Sequence, residues 1–389
     1  MKLLHTSDWH LGHTLYNYDR QYEQQCMLNQ IVDIVRSEHP DIFLLCGDVY
    51  HTAQPSAAVQ RMFADTMSAI HEACPEMNIF VIAGNHDSAS KHDIFTTPWR
   101  ALNVTTAGSV NTDMPDSMIH KADEKCFVIA VPYCHERNMP ENLFKNLLER
   151  TKQLNCQNLP VIMCAHTSVS GCDFKGHDPE GETTIGGIDT MDIDEFGDGY
   201  DYLALGHIHR PQTLGGSKGL ARYSGTPLPV SFDEDYAHSI TIVEIEGNGC
   251  DPTIREIIID NPLPLVTLPS DGSAPFDKVL LMLESFPDDI DAYIRLNVEI
   301  QEFLPHLARE EAIAASATKK CRFCHINITR TNSDTGSASA SRMSIGEFKR
   351  LTPLEVAERF TTEKGIFMDS ELKQLLKETY VSVIEEERK

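Results

Sequence analysis

Residues 80–87 read Phe-Val-Ile-Ala-Gly-Asn-His-Asp, four apolar side chains running straight into a glycine, an amide, an imidazole and a carboxylate. Alone, the stretch describes a strand closed by a polar turn, because glycine, asparagine and aspartate are the usual turn formers. The histidine suits that description least. Whether the stretch is punctuation or chemistry depends on what stands beside it.

Upstream, residues 2–8 (KLLHTSD) read as a strand, and residues 18–38 carry Met27, Leu28, Ile31, Ile34 and Val35 at helical spacing. Residues 41–48 (DIFLLCGD) form a nearly continuous apolar run suited to a strand buried on both faces. A second helix is expected from near Pro55, with Val59, Met62, Phe63 and Ile70 inward, and it leads back to FVIAGNHD. The order β-α-β-α-β predicts an α/β fold with parallel strands. Further strands are expected in CFVIAVPY (126–133), LPVIMCAH (159–166), YDYLALGHIH (200–209), ARYSGTPL (221–228) and HSITIVEIEG (238–247).

The residues that follow these strands share a chemistry. The first strand ends in Asp8-Trp9-His10, the next in Asp48, then come Asn85-His86, His166 and His207-Ile208-His209. In α/β sheets the carboxyl edge is where ligands bind, so independent strands can converge there on one site. The pairs Asp8/His10 and His207/His209 are spaced i, i+2, which puts both members on one side of an extended chain. A lone histidine at a strand end is more often a hydrogen-bonded core or surface residue. Five strand ends bearing ligand types in this order are a specific signal.

The donor inventory suits two divalent ions. Mixed carboxylate, imidazole and amide donors without cysteine favour Mn²⁺ or Fe²⁺, with Zn²⁺ and Mg²⁺ as further candidates. Seven ligands serve two ions if one carboxylate bridges, which sets them roughly 3.5–4 Å apart. Such a pair brings a water to hydroxide near neutral pH and stabilises phosphoryl oxygens during in-line attack.

The motifs D-x-H, G-D, G-N-H-D, a lone H and G-H-x-H, in that order, resemble the calcineurin-like metallophosphoesterase superfamily. HTSDWHLG, GDVY, GNHD, DYLALGHIHRPQ and RYSGTPLPVSFDE are similar to its bacterial DNA-nuclease members. The resemblance covers residues 1–235. It implies a four-layer αββα sandwich, with Asp8, His10 and His209 on one metal, Asn85, His166 and His207 on the other, and Asp48 bridging them. His86, beside a ligand but not itself one, is implied to be the general acid toward the leaving 3′-oxygen, work that suits an imidazole. The chain departs from the pattern after GDVY. Many bacterial members have an acidic residue there and phosphoprotein phosphatases an Asp followed by Arg-Gly, whereas this chain reads His51-Thr52-Ala53. The relatives imply that His51 assists His86 or touches a phosphate. Gly84 is expected to let the chain turn sharply before Asn85 and His86.

The net charge of −25 argues at first sight against nucleic acid. Residues 1–235 hold 16 Lys+Arg against 32 Asp+Glu, and residues 236–389 hold 17 against 26, so neither part is basic. Bound metal offsets some of that charge, and net charge does not describe a local groove. At 389 residues and 41% hydrophobic composition, the chain has the length and character for a sizeable globular core. No run approaches the ~18 apolar residues of a membrane span. The start MKLLHTSDWH lacks a cleavable signal pattern, so a cytoplasmic, membrane-free location is expected. Eleven cysteines scattered through apolar stretches suit reduced core thiols.

The expected organisation is a metallophosphoesterase domain over 1–260 and a smaller α/β cap over 265–330, with a helix at 276–285 and strands AYIRLNVEI and CRFCHINIT. A Ser/Thr/Ala/Gly-rich flexible linker follows at 331–343, then a C-terminal helical, partner-binding segment at 344–389. Thr352, Pro353 and Glu355 suggest a capping box there, and Leu372, Leu375, Leu376, Val383 and Ile384 a helical stripe. Cys321-Arg-Phe-Cys324-His325 fits a haem-attachment pattern, but it lies in an alternating strand with no second site. Residues 171–199 read as an acidic loop flanking the site.

The preferred function is a two-metal, Mn²⁺-dependent DNA nuclease, acting on duplex ends, hairpins and single strands. The resemblance implies a homodimer working with an SMC-like ATPase subunit in a heterotetramer. The alternatives are a phosphomonoesterase or cyclic-nucleotide phosphodiesterase on the same core, or a scaffold without catalysis. A scaffold could lose ligands, and here all seven stand beside His86.

Overall fold

The computed structural model describes residues 1–330, apart from 95, 177–189, 216–218 and 302, together with residue 374. The chain divides into Met1–Thr331 and Asn332–Lys389. The linker expected at 331–343 and, apart from residue 374, the segment at 344–389 with the cap expected at Thr352 and the stripe expected from Leu372 lie outside the described residues, as does much of the acidic loop.

The N-terminal run takes the alternating form expected. Strand β1 (Lys2–Thr6) is followed by α1 (Gln21–Glu38), β2 (Ile42–Cys46), α2 (Ala57–Ala73) and β3 (Asn78–Ile82). Ser56 caps α2, its side chain accepting from the Val59 N–H. Next come β4 (Val104–Ala107), β5 (Ile119–Ala122), β6 (Cys126–Val131), α3 (Leu143–Leu154), β7 (Val161–His166) and β8 (Tyr202–Gly206). Strands β9 (Gln212–Leu214), β10 (Leu220–Tyr223), β11 (Ser239–Glu244) and β12 (Thr253–Ile258) complete two six-stranded sheets. The first sheet has the order β12-β11-β1-β2-β3-β4 and the second β9-β10-β8-β7-β6-β5. Strands β1 to β4 pair in parallel, as do β6, β7, β8 and β10. Short β4 and β5 extend the edges without having been expected, since few apolar residues betray them.

Side-chain alternation along the strands builds the layers. Leu4, Phe43, Leu45, Ile79 and Val81 face Met27, Ile31, Met67 and Ile70 of the helices. Their neighbours Leu3, Leu44, Phe80 and Ile82 face Val128, Ile162, Cys164 and Ala204 of the second sheet. On that sheet's far side Ile129, Met163 and Leu203 meet Phe144 and Leu147 of α3. Strands buried on both faces therefore read as continuous apolar runs. The result is the four-layer αββα sandwich expected.

Strands β13 (Leu265–Leu268), β14 (Tyr293–Ile300) and β15 (Arg322–Arg330) form a separate parallel sheet, with α4 (Phe276–Glu284) and α5 (Ala308–Ser316) packed on it. It joins the sandwich through a seam of Leu15, Phe232, Leu263, Tyr293 and Cys324. The Tyr293 hydroxyl donates to Glu23 at 2.7 Å, and Glu23 pairs with buried Arg20. Cys324 packs in that seam while Cys321 lies in the small sheet's own core, so the two thiols belong to different clusters. Neither joins a potential metal-ligand group among the described residues.

Candidate metal centre

Every candidate residue converges on the carboxyl edge of the two sheets. Asp8, His10, Asp48, His166, His207 and His209 are buried, and Asn85 and His86 are half-buried. Four of them hold left-handed backbone, with φ of 54° at Asp8, 43° at His10, 50° at Asp48 and 95° at His207. Such conformations are costly for residues other than glycine and cluster at functional sites. They re-aim side chains that would otherwise follow the pleat.

The side chains form two neighbouring groups. Asp8, His10 and His209 bring ligand atoms within 4.8 Å of one another, and Asp8, Asp48 and His166 do the same. The His10 and His209 Nε2 atoms are 3.2 Å apart. Asn85 Oδ1 lies 2.9 Å from His166 Nε2 and 3.1 Å from His207 Nδ1, which completes the second group. Asp48 stands between the groups. Its Oδ2 is 3.8 Å from His10 Nε2 and 3.5 Å from His166 Nε2, while its Oδ1 accepts from the His86 N–H at 2.9 Å.

Hydrogen bonds fix which ring nitrogens face the centre. His166 Nδ1 donates to the Cys46 carbonyl at 2.8 Å, leaving the Nε2 lone pair facing Asn85 and Asp48. His209 Nδ1 donates to Glu234 at 2.9 Å, so its Nε2 lone pair faces His10. A carboxylate behind a histidine in this way orients the ring and raises its basicity. Burial pushes the Asp8 carboxyl up and pushes the His10 ring well below its usual range, so His10 is held neutral. Burial also lowers His166, but Asp48 and then Asp8 outweigh it and hold the ring at about 9. A proton and a divalent cation thus compete for that lone pair.

The residues fit a divalent-metal site. Two buried carboxylates, Asp8 and Asp48, have only histidines as ionic partners among the described residues, with no lysine or arginine to offset them. Buried carboxylates without such a partner call for a cation. The imidazole nitrogens gathered around these carboxylates are the donor type that such a cation takes.

His86 and His51 stand at the open side of this centre. His86 Nδ1 donates to the main-chain carbonyl of His51 at 2.9 Å, and the two rings stack with centroids 5.7 Å apart and planes 19° apart. Burial, then His86, lowers the His51 ring. His13 packs edge-on against His51 at 4.7 Å. Its Nδ1 accepts from the Arg20 guanidinium at 3.3 Å, and burial with that charge pushes the ring down to about 2.

Three contributors carry no signal in the sequence. The Asp87 carboxylate accepts from the backbone N–H groups of Val49, Tyr50 and Gly84 at 3.1, 3.0 and 2.9 Å, clasping the GNHD turn to the GDVY loop. Glu234 lies inside the quoted RYSGTPLPVSFDE stretch, but nothing local marks it as the partner of His209. Arg20 follows a turn and has no motif. Gly84 corrects an expectation. Its backbone is not left-handed, and a Cβ there would collide with Asp48 Oδ1 and lie 2.7 Å from Asp48 Cγ. Glycine therefore supplies room for the carboxylate rather than a sharp turn.

A two-sheet sandwich with paired carboxylate–histidine groups at its strand ends defines a metallophosphoesterase. The chain belongs to the calcineurin-like phosphoesterase family, whose pattern matches residues 1–211. Its relatives include the SbcD subunit of the nuclease SbcCD from Rhodobacter capsulatus, 30% identical over 74% of this chain and 77% of that one. The SbcD subunit from Bacillus subtilis is 31% identical over 68% of this chain and 71% of the relative. Its counterpart from Escherichia coli K12 is 25% identical over 80% of this chain and 81% of that one.

Proposed function

We propose that this chain is the nuclease subunit of an SbcCD-type complex, a metal-dependent phosphodiesterase working on DNA with the SMC-like ATPase SbcC. The observation that carries this reading is the placement of Asp48 between two ligand groups, with the His86 amide on its second oxygen. One group, Asp8, His10 and His209, would hold one divalent ion; Asn85, His166 and His207 would hold a second, and Asp48 would bridge them. Mixed oxygen and nitrogen donors favour Mn²⁺. Such ions supply a hydroxide nucleophile near neutral pH and neutralise charge on the phosphoryl oxygens.

The protein's own contribution is positioning and proton transfer. With Nδ1–H committed to the His51 carbonyl, His86 exchanges protons through Nε2. The protonated ring donates from Nε2 to the 3′-oxygen as the P–O3′ bond breaks, while the water oxygen takes its place on phosphorus. Asp87 keeps the turn bearing Asn85 and His86 in register with the loop bearing Asp48. The small sheet over 265–330 would steer DNA to the site, and the segment at 344–389 would dock on the ATPase. Two copies would pair within the heterotetramer.

The test is release of nucleotides from linear duplex by the chain with its ATPase and Mn²⁺, against His86→Ala. Release undiminished in the variant, or none in either, sinks the nuclease reading. Faster turnover of a phosphomonoester than of DNA would instead favour a phosphatase.

A further inference from the structure

The loop that orients His86 is held from the start of α1. His86 Nδ1 donates to the His51 carbonyl, and the His51 N–H donates in turn to the Leu11 carbonyl at 3.0 Å. The His51 ring lies between two others, stacked on His86 and met edge-on by His13. Behind them stand Arg20, Glu23 and Gln24, each no more than 2% exposed. The Gln24 amide donates to the His10 and His13 carbonyls at 3.2 and 3.4 Å and accepts from the Gly12 N–H at 3.0 Å. Arg20 Nη1 donates to His13 Nδ1 at 3.3 Å and to the Pro229 carbonyl at 2.5 Å, and its Nε donates to Glu23 at 3.4 Å. Glu23 also accepts from the Tyr293 hydroxyl of β14, and the Tyr293 ring centroid lies 5.9 Å from Arg20 Cζ. We propose that Arg20 is a positioning residue for His86, acting through His13 and His51, and that Tyr293 makes the small sheet part of its support.

A guanidinium buried this deeply is costly. An ion pair that only joined the two sheets could give way to apolar packing without loss of stability. What arginine adds is a rigid fork of donors, here spread over His13, Pro229 and Glu23. These partners lie on the loop after β1, the loop that carries Glu234 and the first turn of α1. Next to Pro229, the Val230 N–H donates to Glu234 at 3.3 Å, so the same fork braces the loop behind His209. Two rings separate Arg20 from His86, so its part is aim rather than proton transfer. The kinetic consequence rests on the nuclease reading, since a misaimed acid loses rate. The positioning itself does not rest on it.

The experiment is a double-mutant cycle on the full-length chain with its ATPase, Mn²⁺ and linear duplex. Arg20→Lys should lower kcat by about tenfold or more, with KM and bound Mn²⁺ unchanged. Residues that act as a unit are not additive, so Arg20→Lys combined with His86→Ala should be no slower than His86→Ala alone. Tyr293→Phe keeps the ring and removes one hydroxyl, and should lower kcat by about threefold in the same non-additive way. It carries the cycle if Arg20→Lys does not fold. A second measurement needs no cleavage. In the chain labelled with nitrogen-15 histidine and loaded with Mg²⁺, the His86 Nδ1 proton is recognised by its absence in His86→Ala. That proton should exchange with solvent about tenfold faster in Arg20→Lys. Defects that multiply in the double variants, or kcat and exchange unchanged in both single variants, overturn the proposal. Wild-type behaviour of Tyr293→Phe alone overturns the part given to the small sheet. If the wild type cuts no DNA, the nuclease reading fails and the exchange rate decides the positioning.

Discussion

His86 Nδ1 lies 2.9 Å from the main-chain carbonyl oxygen of His51, and this bond fixes which nitrogen of His86 faces the site. The ring proposed as the acid is therefore oriented by a backbone atom. The side chain of His51 remains available beside it, stacked on the same ring.

A consequence concerns the leaving group. His86→Ala should lower cleavage of ordinary DNA by about 10²–10⁴-fold with metal content unchanged. On a substrate whose bridging 3′-oxygen is replaced by sulfur, which leaves without a proton, the variant should approach the wild type. Rates on both substrates, with metal analysis, check this; an equal defect on the sulfur substrate argues against an acid role.

Asp87 should matter although it reaches no substrate. Asp87→Ala strands three backbone N–H groups that the carboxylate now serves. With about 1–3 kcal/mol for each unmet buried donor, destabilisation should be about 3 kcal/mol or more. Denaturant melts give the first number, and cleavage should fall as the turn carrying His86 loosens.

The close packing at Gly84 makes a steric prediction. In Gly84→Ala the new methyl collides with Asp48 Oδ1 and with the Asp48 backbone nitrogen. Neither can retreat without moving the carboxylate between the two groups. Metal affinity should collapse while far-ultraviolet dichroism stays close to the wild type.

Glu234 fixes the ring of His209 from behind and raises that ring against the effect of burial. Glu234→Gln should reduce divalent-metal affinity by about 10–100-fold, with activity recovering at high metal. Titration of Mn²⁺ followed by electron paramagnetic resonance reads the affinity directly. Unchanged binding would show that the carboxylate does not tune the site.

Acid sensitivity has a source between the sheets. His5 is fully buried, with Nδ1 2.8 Å from the Tyr202 hydroxyl, and burial then Arg222 pushes its pKa from 6.5 down to about 3. Between those values the unfolded chain binds a proton that the native one refuses. Stability from this group is therefore full above pH 6.5 and is lost as pH falls, by about 1.4 kcal/mol per pH unit at most. His5→Gln, which can still pair with Tyr202, should flatten the decline between about pH 6.5 and 5 in denaturant melts.

The convergence of these residues was largely legible in the sequence because each candidate ligand follows a strand whose apolar run announces it. Asp8, Asp48, Asn85, His166 and His207 needed only local pattern and order to be placed on one edge. The α/β order with parallel strands was legible for the same reason, whereas the four-layer sandwich was an expectation from the family resemblance. What the chain could not reveal is any role that depends on a contact across it. Asp87 looks like a turn residue and acts as a clasp over 38 positions to Val49. Glu234 becomes a partner of His209 only when their loops meet. Gly84 is glycine because of Asp48, not because of its own backbone. His86 is oriented by a carbonyl that every residue type possesses, so no residue identity could have signalled it. Sequence determined which chemical groups reach the sheet edge, because burial and periodicity are local. The tertiary structure alone decided how they are aimed, because aim depends on backbone atoms and empty space supplied by distant parts of the chain.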